Sequence, residues 1–181
     1  DDFIVTGKDK EILENKVKPA IKEFLAERGL TLSEEKTKIT HIDEGFDFLG
    51  YNFRKFNGTL IVKPSVKSVQ KLLDKVKSIT RKYRAISQVS LIRILNPIIR
   101  GWSNYYKTCS CGKTKIKVDY LLYKKIRRWA DRRHPKKGKH WVSHKYFHTR
   151  GKNHWRFGTW GKKQGEKMFY PLISVCGVPK T

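Results

Sequence analysis

The sequence predicts an α+β fold that continues into a small helical bundle and then into an irregular, basic C-terminal extension. Two observations support this division. The spacing of apolar residues becomes purely helical after Pro64. Residues 1–50 hold twelve Asp or Glu against eight Lys or Arg, whereas the rest of the 181-residue chain holds four against 33. We therefore expect three regions, at 1–63, 64–134 and 135–181.

The first region begins with a helix. Apolar side chains recur at helical spacing within residues 10–28, and Gly29 stands where a C-terminal cap belongs. Pro19 lies inside this stretch and has no amide hydrogen to donate, so we expect it to kink the helix or to divide it.

Short antiparallel strands follow the helix. A brief strand is predicted at 37–42, and a second one is predicted at 46–54, where large apolar residues alternate with polar ones. Asn57-Gly58 then predicts a tight hairpin turn into a strand at 59–63. Together with the helix, these strands make the first region α+β.

The second region contains three amphipathic helices. Apolar stripes with basic residues around them run through 66–83, 91–106 and 118–129. Ser65 and Ser90 are the expected N-terminal caps of the first two helices, because a serine hydroxyl accepts a hydrogen bond from an amide in the first turn. Three such stripes can bury one another, so a three-helix bundle is the predicted packing.

The third region shows no clean periodicity but is rich in aromatic residues set among bases. These residues are Trp141, Tyr146, Phe147, Trp155, Phe157 and Trp160. They could stack on unpaired nucleotides, at about 1–3 kcal/mol for each stack. They could equally form a minor core, which we expect for most of them, because aromatic residues are more often buried than used as ligands.

The formal net charge of +25 indicates a polyanionic partner, and nucleic acid is the strongest expectation. No apolar run approaches the roughly 20 residues needed to span a bilayer, and no secretory signal opens the chain. The three cysteines, an odd number, favour free thiols in a reducing compartment. We therefore expect a soluble, cytoplasmic protein without a membrane partner.

The chain opens on two adjacent carboxylates, Asp1 and Asp2, which run into an apolar segment. Like charges raise one another's pKa unless a cation neutralises them, and Mg²⁺ is the usual cation at such an oxygen site. Taken alone, the pair could also be a solvated acidic terminus.

Two other patterns that could suggest a metal have a simpler interpretation. His140, His144 and His148 follow helical spacing, but aromatic residues share the segment and no carboxylate lies nearby. Cys109 and Cys111, with a distant Cys176, lack the paired C-x2-C spacing of a structural zinc site. We expect a metal at neither position.

Five segments follow one another along the chain, namely Asp1-Asp2-Phe3-Ile4-Val5, residues 29–37, Phe46-Asp47-Phe48-Leu49-Gly50-Tyr51, residues 95–106 and residues 128–137. Each motif alone is weak, whereas their order and spacing are specific. Together they resemble the reverse transcriptase/maturase proteins encoded by bacterial group II introns.

The resemblance implies that 1–63 is the C-terminal part of a polymerase palm, that 64–134 is the thumb or maturase X domain, and that 135–181 is a nucleic-acid-binding extension. Asp1 and Asp2 would join an aspartate outside this chain in holding two Mg²⁺ ions. Lys36 would be the general acid for the leaving group, or else a surface lysine. The implied primer-grip residues are Phe48, Leu49 and Gly50.

The resemblance also implies partners, which are group II intron RNA, an RNA template with a DNA primer, a dNTP and an N-terminal reverse transcriptase portion. An A-form duplex is recognised mainly by its shape and backbone, so a basic surface suffices. The candidate nucleic-acid-binding residues are Arg54, Lys55, Arg93, Arg100, Lys107, Lys124, Lys125, Arg127, Arg128, Arg132, Arg133, Lys136 and Lys137.

The expected function is that of an RNA-directed DNA polymerase and intron maturase, represented by a C-terminal portion. We expect this portion alone to bind RNA and to polymerise nothing. One alternative is an RNA-binding splicing factor without polymerase activity of its own. The other is a nonspecific basic nucleic-acid-binding protein.

Overall fold

A computed structural model describes residues 2–109, 111–150, 153–163 and 165–177. The chain divides into two compact units, the first comprising Asp1–Leu49 and Phe53–Ile61 and the second Gly50–Asn52 and Val62–Thr181. The boundary predicted at 134/135 thus falls inside the second unit. Within the described part of the chain, no helix has the length and apolar character needed to cross a membrane.

The first unit contains the predicted helix in three parts. These are α1 (Lys10–Ile12), a π-helical stretch (Leu13–Val17) and α2 (Lys18–Ala26). Pro19 lies in the first turn of α2, directly after the wider π-helical stretch, so the predicted division is confirmed.

The C-terminal end of α2 is capped as predicted. Gly29 adopts a left-handed φ of 69°, and its amide bonds to the carbonyl of Ala26 at 3.0 Å. The amide of Leu30 reaches back to the carbonyl of Leu25 at 2.9 Å. This pair of bonds satisfies carbonyls that the end of the helix would otherwise leave without a partner.

Three antiparallel strands follow, in the order β1 (Phe46–Phe48), β2 (Tyr51–Phe56) and β3 (Thr59–Pro64). The single strand predicted at 46–54 is wrong, because Leu49 and Gly50 have φ values of 46° and 82° and turn the chain between β1 and β2. The predicted Asn57-Gly58 turn is confirmed, with φ values of 46° and 78°.

The strand predicted at 37–42 is also wrong, since these residues run as irregular chain. Both the amide and the hydroxyl of Thr37 bond to the carbonyl of Ser33, at 3.0 and 2.7 Å. This local turn uses donors that a strand would offer to a neighbour.

The second unit contains the predicted helices, α3 (Val66–Lys82), α4 (Gln88–Tyr105) and α5 (Gly112–Arg133), and a shorter helix α6 (Lys139–Tyr146). The first three helices supply most of the core. Its fully or almost fully buried side chains include Leu72, Leu73, Val76, Leu91, Leu95, Ile99, Val118, Leu122 and Ile126.

Of the two N-terminal caps predicted for α3 and α4, one is confirmed and one is wrong. The hydroxyl of Ser65 accepts from the amide of Ser68 at 3.1 Å, as expected. The assignment of Ser90 as a cap is wrong, because Ser87 caps α4 and accepts from the amide of Ser90 at 3.1 Å. The apolar stripe begins at Leu91, but the helix starts nearly a turn earlier.

The extension, predicted as irregular, is instead a second three-stranded antiparallel sheet. Its strands are β4 (Phe147–Arg150), β5 (Asn153–Lys163) and β6 (Glu166–Pro171), in that order. Glycines within β5 make room for rings from β6, since a Cβ on Gly158 would collide with Phe169 and one on Gly161 would lie 2.9 Å from the ring of Tyr170. These glycines weaken the strand signal in the sequence.

Polar side chains of α4 bond to the backbone of the extension. Gln88 donates to the carbonyls of Tyr146 and Gly158 at 3.0 and 2.8 Å. The amide of Asn96 donates to the carbonyl of Pro171 at 3.1 Å and its oxygen accepts from the amide of Ile173 at 2.9 Å. These hydrogen bonds fix the backbone of the extension directly to α4.

The carboxylate of Asp119 on α5 fixes the segment after β6. It accepts from the hydroxyl of Ser174 at 2.5 Å and from the amides of Val175 and Cys176 at 2.7 and 3.1 Å. We expect Asp119→Ala to lower the free energy of unfolding by about 2–3 kcal/mol, because donors bonded to a charged group lose their acceptor. Urea denaturation followed by circular dichroism measures this change.

The matched control for Asp119 is Asp131→Ala, on the same helix. Asp131 forms an i,i+4 ion pair with Arg127. We expect this control to cost at most about 0.5 kcal/mol. Equal losses for the two variants would contradict a special role of Asp119.

Candidate nucleic-acid interface

Basic side chains from two helices influence one another where α3 packs against α5. Lys77 and Arg81 lie one turn apart on α3, and both are exposed. On α5, Lys125 is half-buried and Arg128 is exposed. We call these four residues, together with Asp74, the α3–α5 groove.

The charges of the groove are close enough to act on one another. Partial burial lowers the pKa of the Lys125 ammonium group, and the charge of Lys77 lowers it further. Arg128 and Arg81 act in the same direction, whereas Asp74 opposes them. A phosphate group placed here would relieve the repulsion among these cations.

Among the described residues, none of the four basic groups of the groove forms an ion pair with a carboxylate, although Asp74 lies near them. The ion pairs found in residues 2–109, 111–150, 153–163 and 165–177 involve Lys18, Lys22, Arg28, His41 and Arg127 as cations. A depression on the surface of α3 is lined by Asp74, Lys77, Ser78, Arg81 and Lys82. This arrangement suits the backbone of an RNA strand or duplex.

Some of the predicted nucleic-acid contacts are committed to internal bonds. Arg127 pairs with Asp131 at 3.0 Å, donates to the carbonyl of Lys139 at 2.7 Å and also bonds to the hydroxyl of Ser143. It thereby fastens α6 to α5. A guanidinium held by three partners is a structural anchor first.

Arg132 and Arg133 likewise hold the end of α5 to the connection between α3 and α4. Arg132 donates to the carbonyl of Thr80 at 3.4 Å. Arg133 donates to the carbonyls of Arg84, at 3.0 Å, and Ile86, and its guanidinium lies 4.7 Å from the centre of the Trp129 ring.

The remaining candidates are scattered over several elements. In the first unit, the Arg54 side chain donates to the carbonyl of Asp43 at 2.9 Å, and Lys55 is exposed. In the second unit, the exposed candidates outside the groove are Arg93, Arg100, Lys107, Lys124, Lys136 and Lys137.

Only Lys125 and Arg128, of the predicted set, fall in the α3–α5 groove, and sequence reasoning missed Lys77 and Arg81. Their i,i+4 spacing beside the buried Val76 was a usable signal that they share a face. That this face meets α5 could not be read from local spacing.

The acidic and basic residues implied as polymerase groups are exposed where the structure describes them. Asp1 lies outside the described residues, Asp2 is exposed, and Lys36 is exposed in a short turn. Glu34 in that turn pairs with Lys18 at 2.8 Å and with Lys22, and these hydrogen bonds hold the pKa of its carboxyl at about 2.

The described residues do not by themselves gather a set of metal ligands. Within the described part of the chain, no group of three or more His, Cys, Asp or Glu side chains could hold a metal ion. The ring nitrogens of His140 and His144 lie 3.0 Å apart on α6, whereas His148 lies on β4.

The implied primer-grip residues form the turn between β1 and β2. Phe48 ends β1, and the side chain of Leu49 is exposed. The carbonyl of Gly50 accepts from the amide of Ser65 at 2.8 Å and from the hydroxyl of Tyr106 at 3.0 Å. A Cβ on Gly50 would lie 2.6 Å from that hydroxyl, so the close neighbour of Gly50 is the side chain of Tyr106.

The aromatic residues of the extension divide into two equal groups. Tyr146, Phe147 and Phe157 are buried in the core of the second unit. Trp141, Trp155 and Trp160 are 40%, 48% and 49% exposed. The expectation that most of the six would be core therefore holds for half of them.

Comparisons with known proteins relate the helical region to intron maturases. Residues 69–147 match the model of the family described as "Group II intron, maturase-specific domain". This match includes the whole α3–α5 groove, most of α3 and all of α4, α5 and α6.

Two curated proteins, each named Maturase-like protein 1, are also similar to this chain. The protein from Euglena longa is 30% identical over 87 residues, which cover 46% of this chain and 19% of that protein. The protein from Euglena gracilis is 30% identical over 108 residues, which cover 58% and 22%. The chain thus spans about a fifth of the length of the curated relatives it matches.

Proposed function

We propose, from the match of residues 69–147 to the group II intron maturase-specific domain, that this chain is the RNA-binding part of an intron maturase of reverse transcriptase type. The observation that carries the proposal is the α3–α5 groove. Its four basic residues lie inside the matched region, and two helices that are distant in sequence bring them together.

The ligand that suits the groove best is the backbone of structured RNA. Ammonium and guanidinium groups recognise phosphate without reading bases, and A-form RNA is bound mainly through its shape, phosphates and 2′-hydroxyls. The net charge of +25 adds a long-range attraction for any polyanion. The groove in addition fixes the position at which the RNA backbone binds.

The exposed apolar side chains of the first unit favour the presence of a partner polypeptide. None of its described residues is buried, although Phe24, Leu30 and Phe56 are 54%, 56% and 57% exposed. A unit without a buried core cannot supply its own folding free energy. We propose that an N-terminal reverse transcriptase portion covers these side chains and completes a palm.

The polymerase role is part of the same proposal. When completed, Asp1 and Asp2 would contribute carboxylates to a Mg²⁺ site, with Lys36 near the incoming dNTP and the Leu49-Gly50 turn near the primer of an RNA template and DNA primer duplex. Two Mg²⁺ ions at such a site would supply the charge neutralisation that phosphoryl transfer requires.

A second candidate function is a splicing factor that binds intron RNA without polymerising. One observation favours it, namely that the matched residues 69–147 include neither aspartate of the acidic pair, nor Lys36, nor the Leu49-Gly50 turn. RNA binding by the groove is then independent of polymerase chemistry.

One experiment separates the two candidates. The chain is combined with a reverse transcriptase N-terminal portion, and splicing of its intron RNA and primer extension are both measured for the Asp1→Ala, Asp2→Ala double variant. The full proposal expects extension to be lost and splicing to be retained. The control is the Glu11→Ala, Glu14→Ala variant, which removes two exposed carboxylates of the same unit.

Extension that is unchanged in the aspartate variant would overturn the polymerase role and leave the splicing role. Failure of the wild-type chain to bind intron RNA in preference to an unrelated RNA would overturn the maturase role itself.

A further inference from the structure

Trp155 adopts a backbone conformation that its side chain disfavours. Its φ is 54°, in the left-handed region, although it lies within β5 and not at a two-residue turn. The register explains this. His148 pairs with Arg156 and Arg150 pairs with Asn153, so two residues of β5 stand opposite one residue of β4. Such a bulge redirects a side chain, and it is costly for a bulky residue.

The bulge places the Trp155 ring next to exposed rings of α6. Its centroid lies 5.8 Å from that of His144, which in turn lies 4.2 Å from that of His140. Trp141, on the same helix, is 40% exposed. The Trp141 ring lies 4.8 Å from that of His134, and Trp141 precedes His144 by three residues on α6, which is close to one helical turn. For their shared place on α6 and β5, we call His140, Trp141, His144 and Trp155 the aromatic surface.

Lysines border this surface, and acidic residues are scarce around it. The ammonium groups of Lys145 and Lys137 lie 4.8 and 5.5 Å from the centre of the Trp141 ring. Residues 135–181 hold eleven Lys or Arg and a single acidic residue, Glu166. The charge thus complements a polyanion.

The exposed apolar groups also indicate which polyanion. Among the described residues of the extension, the large exposed apolar side chains are three tryptophans and Met168, with no branched aliphatic residue among them. A protein surface offers charges of both signs, whereas the excess of Lys and Arg around these rings favours a uniformly anionic partner. Flat rings flanked by cations match nucleobases, which present a π-face whatever their sequence.

We propose that the aromatic surface binds unpaired nucleobases, which stack on Trp141 and Trp155 while the neighbouring lysines hold the strand's phosphates. This site lies on α6 and β5, apart from the residues of the α3–α5 groove, and it rests on the proposed function only in taking nucleic acid as the ligand. The strained Trp155 backbone is then explained by what the ring does.

The test compares single strands with duplexes. Fluorescence anisotropy measures the affinity of the full chain for a labelled 12-nucleotide single-stranded RNA, the same sequence as DNA, and a blunt RNA duplex. The variant is Trp141→Ala, Trp155→Gly, since glycine accepts the left-handed backbone. We expect the affinity for both single strands to fall at least about 25-fold, because two stacks worth at least about 5-fold each are lost. The affinity for the duplex should fall less than about 3-fold.

Two further variants guard against misfolding. Trp141→Phe, Trp155→Phe keeps a ring at each position and should recover most of the affinity. Trp160→Ala removes an equally exposed tryptophan of β5, one that also has a lysine, Lys167, 5.2 Å away, and should change single-strand affinity by less than about 3-fold.

Equal weakening of single strands and duplex by the alanine–glycine variant, or no weakening at all, would overturn the stacking proposal and leave the proposed function intact. Binding of none of the three nucleic acids by the wild-type chain would remove both proposals together.

Discussion

Replacement of Lys77, Arg81, Lys125 and Arg128 by glutamine should lower the affinity of this chain for intron RNA by about 10²–10³-fold at 0.1 M salt. The reason is counterion release, because each phosphate neutralised by the protein contributes about 0.9 to the slope of log affinity against log salt. Removing four contacts should therefore flatten this slope by about three to four. Glutamine retains good helix propensity, so α3 and α5 should remain folded.

The measurement is filter binding or anisotropy over a series from 50 to 300 mM salt. The control variant replaces Lys8, Lys10, Lys16 and Lys38 of the first unit by glutamine. It removes the same number of positive charges, but from exposed positions outside the groove. We expect its affinity to stay within about 3-fold of wild type. If both quadruple variants lose affinity equally, net charge and not the groove determines binding.

Trp129→Ala should be the most destabilising single substitution that we predict, at about 3–5 kcal/mol. Trp129 is 1% exposed, and its indole nitrogen donates to the carbonyl of Tyr83 at 2.9 Å. Its ring packs edge-on against Tyr146 and Phe157, with centroids 5.7 and 5.9 Å away. One side chain therefore joins the helices to α6 and to β5 of the extension.

Urea denaturation gives the size of the loss, and hydrogen exchange of the β5 amides shows where it is felt. We expect helices and β5 to lose protection together in Trp129→Ala. Trp129→Phe should cost less, about 1–3 kcal/mol, because it keeps a ring but leaves the Tyr83 carbonyl without its donor. Protection of β5 that survives loss of the helices would mean that residues 135–177 fold as a domain of their own.

Helices and the Asn57-Gly58 hairpin could be predicted because their signals are local. An apolar stripe or a turn pair is complete within a few residues. The Leu49-Gly50 turn was missed because leucine rarely takes a positive φ, and alternation on both sides of the turn imitated one continuous strand. The sheet of the extension was missed because Gly158 and Gly161 interrupt the pattern of β5.

The sequence predicted a basic surface for nucleic acid, but it did not predict which basic residues form the α3–α5 groove. Arg127 and Arg128 are neighbours in a basic run, yet the first anchors α6 and the second is exposed in the groove. Which of two adjacent arginines faces solvent depends on where α3 and α6 pack, and this is long-range information. The acidic pair, in contrast, was identified from sequence alone, and its role stays a prediction.

The lack of a buried core in the first unit has a practical consequence for handling the protein. Leu60 and Ile61 are 55% and 37% exposed on β3, a strand at the edge of its sheet. Exposed apolar edge strands are templates for self-association. The net charge of +25 holds copies of the whole chain apart, and salt screens that repulsion. Preparations without RNA should therefore self-associate more readily as the ionic strength rises.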